Sequence, residues 1–204
     1  MAYHDKPWHQ DADLVITLLS LSQTASFDKE HSVGAFSING PTVWQLVGAQ
    51  KHDLNNTKND LEMIALLSAL NSITRQDQVN LKKDAEKKGE LIHIIVNTAS
   101  YSFNHALKLF NSHPGAVADT VNPAYVARLV EALKEFEEVG YTLEPVLVRR
   151  DFIPMKVVWR FVMKTLHIQL NKEMPTQFAS GDSRAFKIPD TWLAAMEAEQ
   201  EVNA

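Results

Sequence analysis

The nine residues Leu91 to Ala99, LIHIIVNTA, constrain this chain more than any other stretch. Apolar side chains occupy both parities of the run, so both faces of a strand formed here need cover from water. A central strand of a sheet with helices on its faces meets that need, and such strands run parallel to their neighbours. Parallel neighbours need crossover segments, which points to an α/β chain.

The flanking sequence supplies the other elements. Residues 14–22, LVITLLSLS, are short and rich in β-branched and apolar side chains, as a buried strand is. VGAFSI (33–38) and TVWQLVGAQ (42–50) follow, with Asn39-Gly40 between them as a hairpin turn. Three strands, antiparallel in sequence order, therefore open the chain. In TKNDLEMIALLSAL, a polar entry at Thr57 leads into Leu61, Ile64, Ala65, Leu67 and Leu70 at helical spacing. The lysine-rich stretch QDQVNLKKDAEKKGE reads as a solvated helix end or loop. SYSFNHALKLF is a short helix, and NPAYVARLVEALKEFEEVG is an amphipathic helix with Pro123 near its start and Gly140 at its end. YTLEPVLVRR is a strand whose internal proline favours a sheet edge or a bulge, and MKVVWRFVMKTLHIQL is a last helix. The expected order is β-β-β-α-β-α-α-β-α.

With 204 residues, 45% of them apolar, one substantial core is expected together with a peripheral extension. Residues 1–13 are read as an N-terminal extension, 14–170 as the domain, and 171–204 as an arm ending in a short acidic helix, DTWLAAMEAEQEV. The arm carries Phe186, Trp192 and Leu193 as candidates for docking on a partner or a twin subunit. A net charge of −5 provides no global field for nucleic acid. The absence of cysteine excludes disulfides, thiolate metal sites and a cysteine nucleophile. No signal peptide or membrane-spanning run is read, so a cytoplasmic chain is expected.

The order of elements, with Thr57 to Ile73 as first helix, VGAFSI as second strand and IIVNTASYSFNHAL as fourth strand and following helix, resembles the ribonuclease H family. The resemblance extends over roughly residues 14 to 170. It implies a ribonuclease H-like fold: a mixed five-stranded sheet, three antiparallel strands and then parallel ones, flanked by helices. It places Glu62 at the family's catalytic glutamate and Thr57, Lys58 and Asn59 at positions that contact ribose or phosphate.

The family holds two divalent cations with four carboxylates. On the same alignment the first-strand acid is replaced by Leu18 and the fourth-strand acid by Ala99. No acid stands around Trp159 to Phe161 where the last helix should supply one, and Asp151 lies near the family's loop histidine. One carboxylate cannot offset the repulsion of two dications. The expected protein is therefore a catalytically inactive, cofactor-free ribonuclease H-like pseudoenzyme. It would hold a protein or ribonucleoprotein partner, in the manner of a phage-type modulator of a host factor.

Two other functions stay open: a magnesium-dependent nuclease on RNA–DNA hybrid with carboxylates rebuilt around Glu62, and a structural homo-oligomer. Glu62 also reads as a first-turn acid favoured by the helix dipole, and Thr57 and Asn59 as caps of the same helix. Arg149, Arg150 and Arg160 flank the degenerate site and are candidates for binding a polyanion. Lys82, Lys83, Lys87 and Lys88 are diluted by Asp84, Glu86 and Glu90 and read as a solvated face.

Overall fold

The computed structural model describes residues 12–22, 32–39, 46–52, 57–113, 116–117, 120–149, 155, 158 and 186–187. Six strands, β1 (Leu14–Ser22), β2 (Ser32–Asn39), β3 (Leu46–His52), β4 (Ile92–Thr98), β5 (Tyr141–Leu147) and β6 (Phe186–Lys187), form one sheet. The helices are α1 (Lys58–Ser72), α2 (Arg75–Lys88), α3 (Tyr101–Ser112) and α4 (Pro123–Glu137).

The sheet order is β5-β4-β1-β2-β3-β6. β1, β2 and β3 are antiparallel neighbours, with Leu18 opposite Phe36 and Ile38 opposite Leu46. β4 lies parallel to β1, and β5 parallel to β4. The first five strands thus adopt the ribonuclease H-like arrangement that the resemblance implies. LIHIIVNTA does form the central parallel strand, buried almost throughout. Pro145 sits on the edge strand β5 opposite Val96, where a missing N–H leaves no ladder unpaired.

The pleat of the sheet separates two cores. Leu14, Ile16 and Leu18 of β1 and Ile92, Ile94 and Val96 of β4 pack in one large cluster with α1, α3 and α4. Val15, Leu19, Ala35 and Ile95 face the other way, against Val146, Val148, Met155 and Val158. Met155 and Val158 are both helical and lie within the predicted last helix, the rest of which is outside the described residues.

Three expectations are corrected. Residues 75–88, expected as a solvated helix end or loop, form a separate helix of their own: Thr74 caps it by accepting from the Asp77 N–H, and Gly89 ends it at φ 69°. Its few apolar residues hid it, for only Leu81 and Ala85 are buried. The β2–β3 register pairs Ile38 with Leu46, which leaves seven residues between them and is incompatible with a two-residue Asn39-Gly40 turn. The third strand is described from Leu46 to His52, and the expected start at Thr42 lies outside the described residues. The arm also contributes a strand, because Phe186 and Lys187 pair antiparallel with Val47 and Leu46 at the β3 edge.

Candidate functional site

At the carboxyl ends of β1 and β4 the chain turns from apolar to polar, and the first turns of α1 and α3 meet there. Thr57 is the N-cap of α1: its hydroxyl accepts from the Asp60 N–H, and its own N–H donates to Asp60 Oδ2 at 2.9 Å, a reciprocal capping box. Asp60 is only 5% exposed, and its other oxygen accepts the Asn122 N–H at 2.7 Å. Asn122 caps α4, so one carboxylate joins the starts of two helices.

Glu62 lies one residue past the first turn, where the acid is Asp60 rather than Glu62. The helix-dipole explanation of Glu62 therefore gives way to a different one. Its side chain points down onto the sheet and is 2% exposed. Ser20 Oγ on β1 donates to Oε1 at 2.9 Å, and Thr98 Oγ1 on β4 donates to Oε2 at 2.5 Å. Burial raises the Glu62 pKa from 4.5 to about 7, although both hydroxyls and the nearby Lys58 favour the charged form. The loss of water outweighs two good hydrogen bonds.

The polar chain continues outward. The Ser100 N–H donates to Thr98 Oγ1, Ser100 Oγ lies 3.1 Å from Ser102 Oγ, and Ser102 Oγ donates to Asn59 Oδ1 at 2.8 Å. Asn59 Nδ2 reaches the Thr120 carbonyl at 3.3 Å. A single network thus ties β1, β4, α1 and α3 at one end of the sheet.

Several residues singled out from sequence can now be placed. Glu62 lies in α1 facing the sheet, where the side chains that meet it are those of Ser20 and Thr98. Leu18 is two residues deeper on the same face as Ser20, within the large core. Ala99 packs with the second cluster, on the opposite side of the sheet. Strand parity was the signal for Thr98, which shares the face of Ile94 and Val96. Thr57 and Asn59 are engaged in hydrogen bonds within the chain, whereas Lys58 and Arg149 are exposed. Arg150, Arg160, Trp192 and Leu193 lie outside the described residues, and Phe186 is described only as part of β6.

A pair of divalent cations needs several anionic oxygens converging on one point. Here a single carboxylate, destabilised by burial in its charged form, meets two hydroxyls. Among the described residues no group of three or more His, Cys, Asp or Glu side chains could hold a metal ion. This donor set does not fit the cation pair.

No protein-family model matches the chain, and no curated protein matches it. Among solved structures it is similar to LC9-RNase H1, a type 1 RNase H with the type 2 active-site motif, at 10% identity and a TM-score of 0.46, over 85% of this chain and 77% of that one. It is similar also to the native protease–reverse transcriptase of prototype foamy virus, at 10% identity and a TM-score of 0.44, over 76% of this chain and 21% of the viral one. The CSH mutant of that viral protein gives 12% identity, a TM-score of 0.39, and coverage of 83% and 22%. The chain spans about a fifth of the viral protein.

Proposed function

We propose that this chain is a ribonuclease H-like binding module that holds a protein or ribonucleoprotein partner and cuts nothing. One observation carries the reading: Glu62 is buried beneath hydroxyls, with Ser20 and Thr98 on the strands that face it. Burial opposes the charged form of Glu62, and two hydroxyls rather than further carboxylates meet it, an arrangement suited to a polar tie between α1 and the sheet. Binding is assigned to the rim above it, at the carboxyl ends of β1, β4 and β5, where open α/β sheets receive ligands. Lys58, Tyr101 and Arg149 are exposed around this rim, and Tyr101, 59% exposed, stacks on His105 with ring centroids 6.5 Å apart.

The test is twofold. The intact chain is incubated with labelled RNA–DNA hybrid in Mg²⁺ and in Mn²⁺, and no cleavage is expected above that of a Glu62→Gln chain. In parallel, capture from lysate is compared for the wild type and a Lys58→Glu/Tyr101→Ala chain, before and after nuclease treatment. Capture that the rim variant loses supports the binding role, and its nuclease sensitivity separates ribonucleoprotein from protein. Cleavage that Glu62→Gln abolishes refutes the proposal and assigns a metal site whose further carboxylates come from outside the described residues.

A further inference from the structure

α2 is an addition to the element order read from sequence, and it builds a surface of its own. With the last turns of α1 and the middle of α4 it walls a cleft of about 600 Å³. This lies at the opposite end of α1 from Glu62: Leu70 is eight residues on, about 12 Å along the axis. The floor is apolar, from Leu67, Leu70 and Ala132, and Val79 of α2, 41% exposed, stands on its wall.

The charges of the cleft are not balanced. Lys82 pairs with Glu138 at 3.4 Å, and Glu131 pairs with Lys134 at 2.8 Å. Arg75 and Arg128 also line the cleft, and neither forms an ion pair among the described residues. One carboxylate, Glu135, remains to face two guanidinium groups.

We propose that the cleft is the docking site of this chain's own C-terminal segment, residues 190–202. That segment, DTWLAAMEAEQEV, carries Asp190, Glu197, Glu199 and Glu201 and no basic residue. Its Trp192, Leu193 and Met196 share one face at helical spacing, an apolar stripe matched to the floor. The acids complement Arg75 and Arg128. The chain also arrives at the right end of the sheet. Lys187 pairs with Leu46, which aligns through Ile38 with Ile16 near the start of β1. α1 begins over the carboxyl end of β1 and runs toward that same start.

Hydrogen exchange read by mass spectrometry on the full chain tests this. Trp192→Ala is expected to speed exchange at least tenfold in peptides covering α2 and the second half of α4, with β4 peptides unchanged. An Arg75→Glu/Arg128→Glu chain should show the same pattern, and the combined variant should add little to either. Light scattering over a tenfold concentration range should report a monomer throughout. Unchanged α2 and α4 exchange in Trp192→Ala, fully additive effects, or protection that appears only with dimer formation would each overturn the assignment; the last would place a second copy's tail in the cleft. Loss of protection in β4 would mark global destabilisation and count against specific docking, and Glu199→Lys, which reverses one of the complementing charges without removing an apolar side chain, should speed α2 and α4 exchange in the same direction; unchanged exchange there would count against the charge pairing.

Discussion

Replacing Glu62 with glutamine should stabilise this protein above neutral pH. In the unfolded chain the carboxyl titrates near 4.5, and in the fold near 7. Because the folded value is the higher one, the fold binds the proton more tightly. The contribution of this group is therefore fully present below about pH 4.5 and is lost as pH rises through 7. The gap corresponds to about 3 kcal/mol of folding free energy given up by pH 8. Glutamine is isosteric and neutral. Its carbonyl oxygen can accept from Thr98 Oγ1, and its amide can donate to Ser20 Oγ, which a serine hydroxyl can turn to receive. Some hydrogen-bond strength is lost with the charge, so a gain of about 1–3 kcal/mol is expected at pH 8 and none at pH 4.5. Urea denaturation of both chains at pH 5, 6, 7 and 8 with a chelator present gives the comparison. The wild type should weaken relative to the variant across this window. Parallel profiles, or a variant less stable than the wild type at pH 8, would refute the account of Glu62 as a buried carboxylate set against its own burial.

Two further substitutions probe the same end of the sheet. Thr98→Val removes one of the two hydroxyl donors and should push the Glu62 titration further up, followed by carbon NMR of the side-chain carboxyl; an unmoved midpoint would break the link between them. Asp60→Ala deletes the α1 capping box and leaves the Asn122 N–H without its acceptor, for a loss of about 2–3 kcal/mol in chemical denaturation. Asp60→Asn, which keeps acceptor oxygen, should recover part of that.

The sequence alone determined the architecture, because hydrophobic pattern is a local property. LIHIIVNTA needed cover on two faces whatever surrounded it, Pro145 favoured a sheet edge or a bulge, and Thr57 suited the cap of a helix. The same locality explains the failures. α2 buries only Leu81 and Ala85, so no apolar stripe announced it, and the β2–β3 register depended on pairing across the sheet. Aligning Leu18 and Ala99 with missing acids was a matter of counting along the chain. Which hydroxyls actually meet Glu62 depends on the parity of two strands and the angle at which α1 crosses them. Tertiary structure alone decided that Ser20 and Thr98 close over the carboxylate and that Asp60 joins two helix starts. It decided too that α2 opens a cationic cleft far from both. Burial and pairing arise between segments distant in sequence, and the cost of burying a charge is set by that environment rather than by the residue's neighbours along the chain.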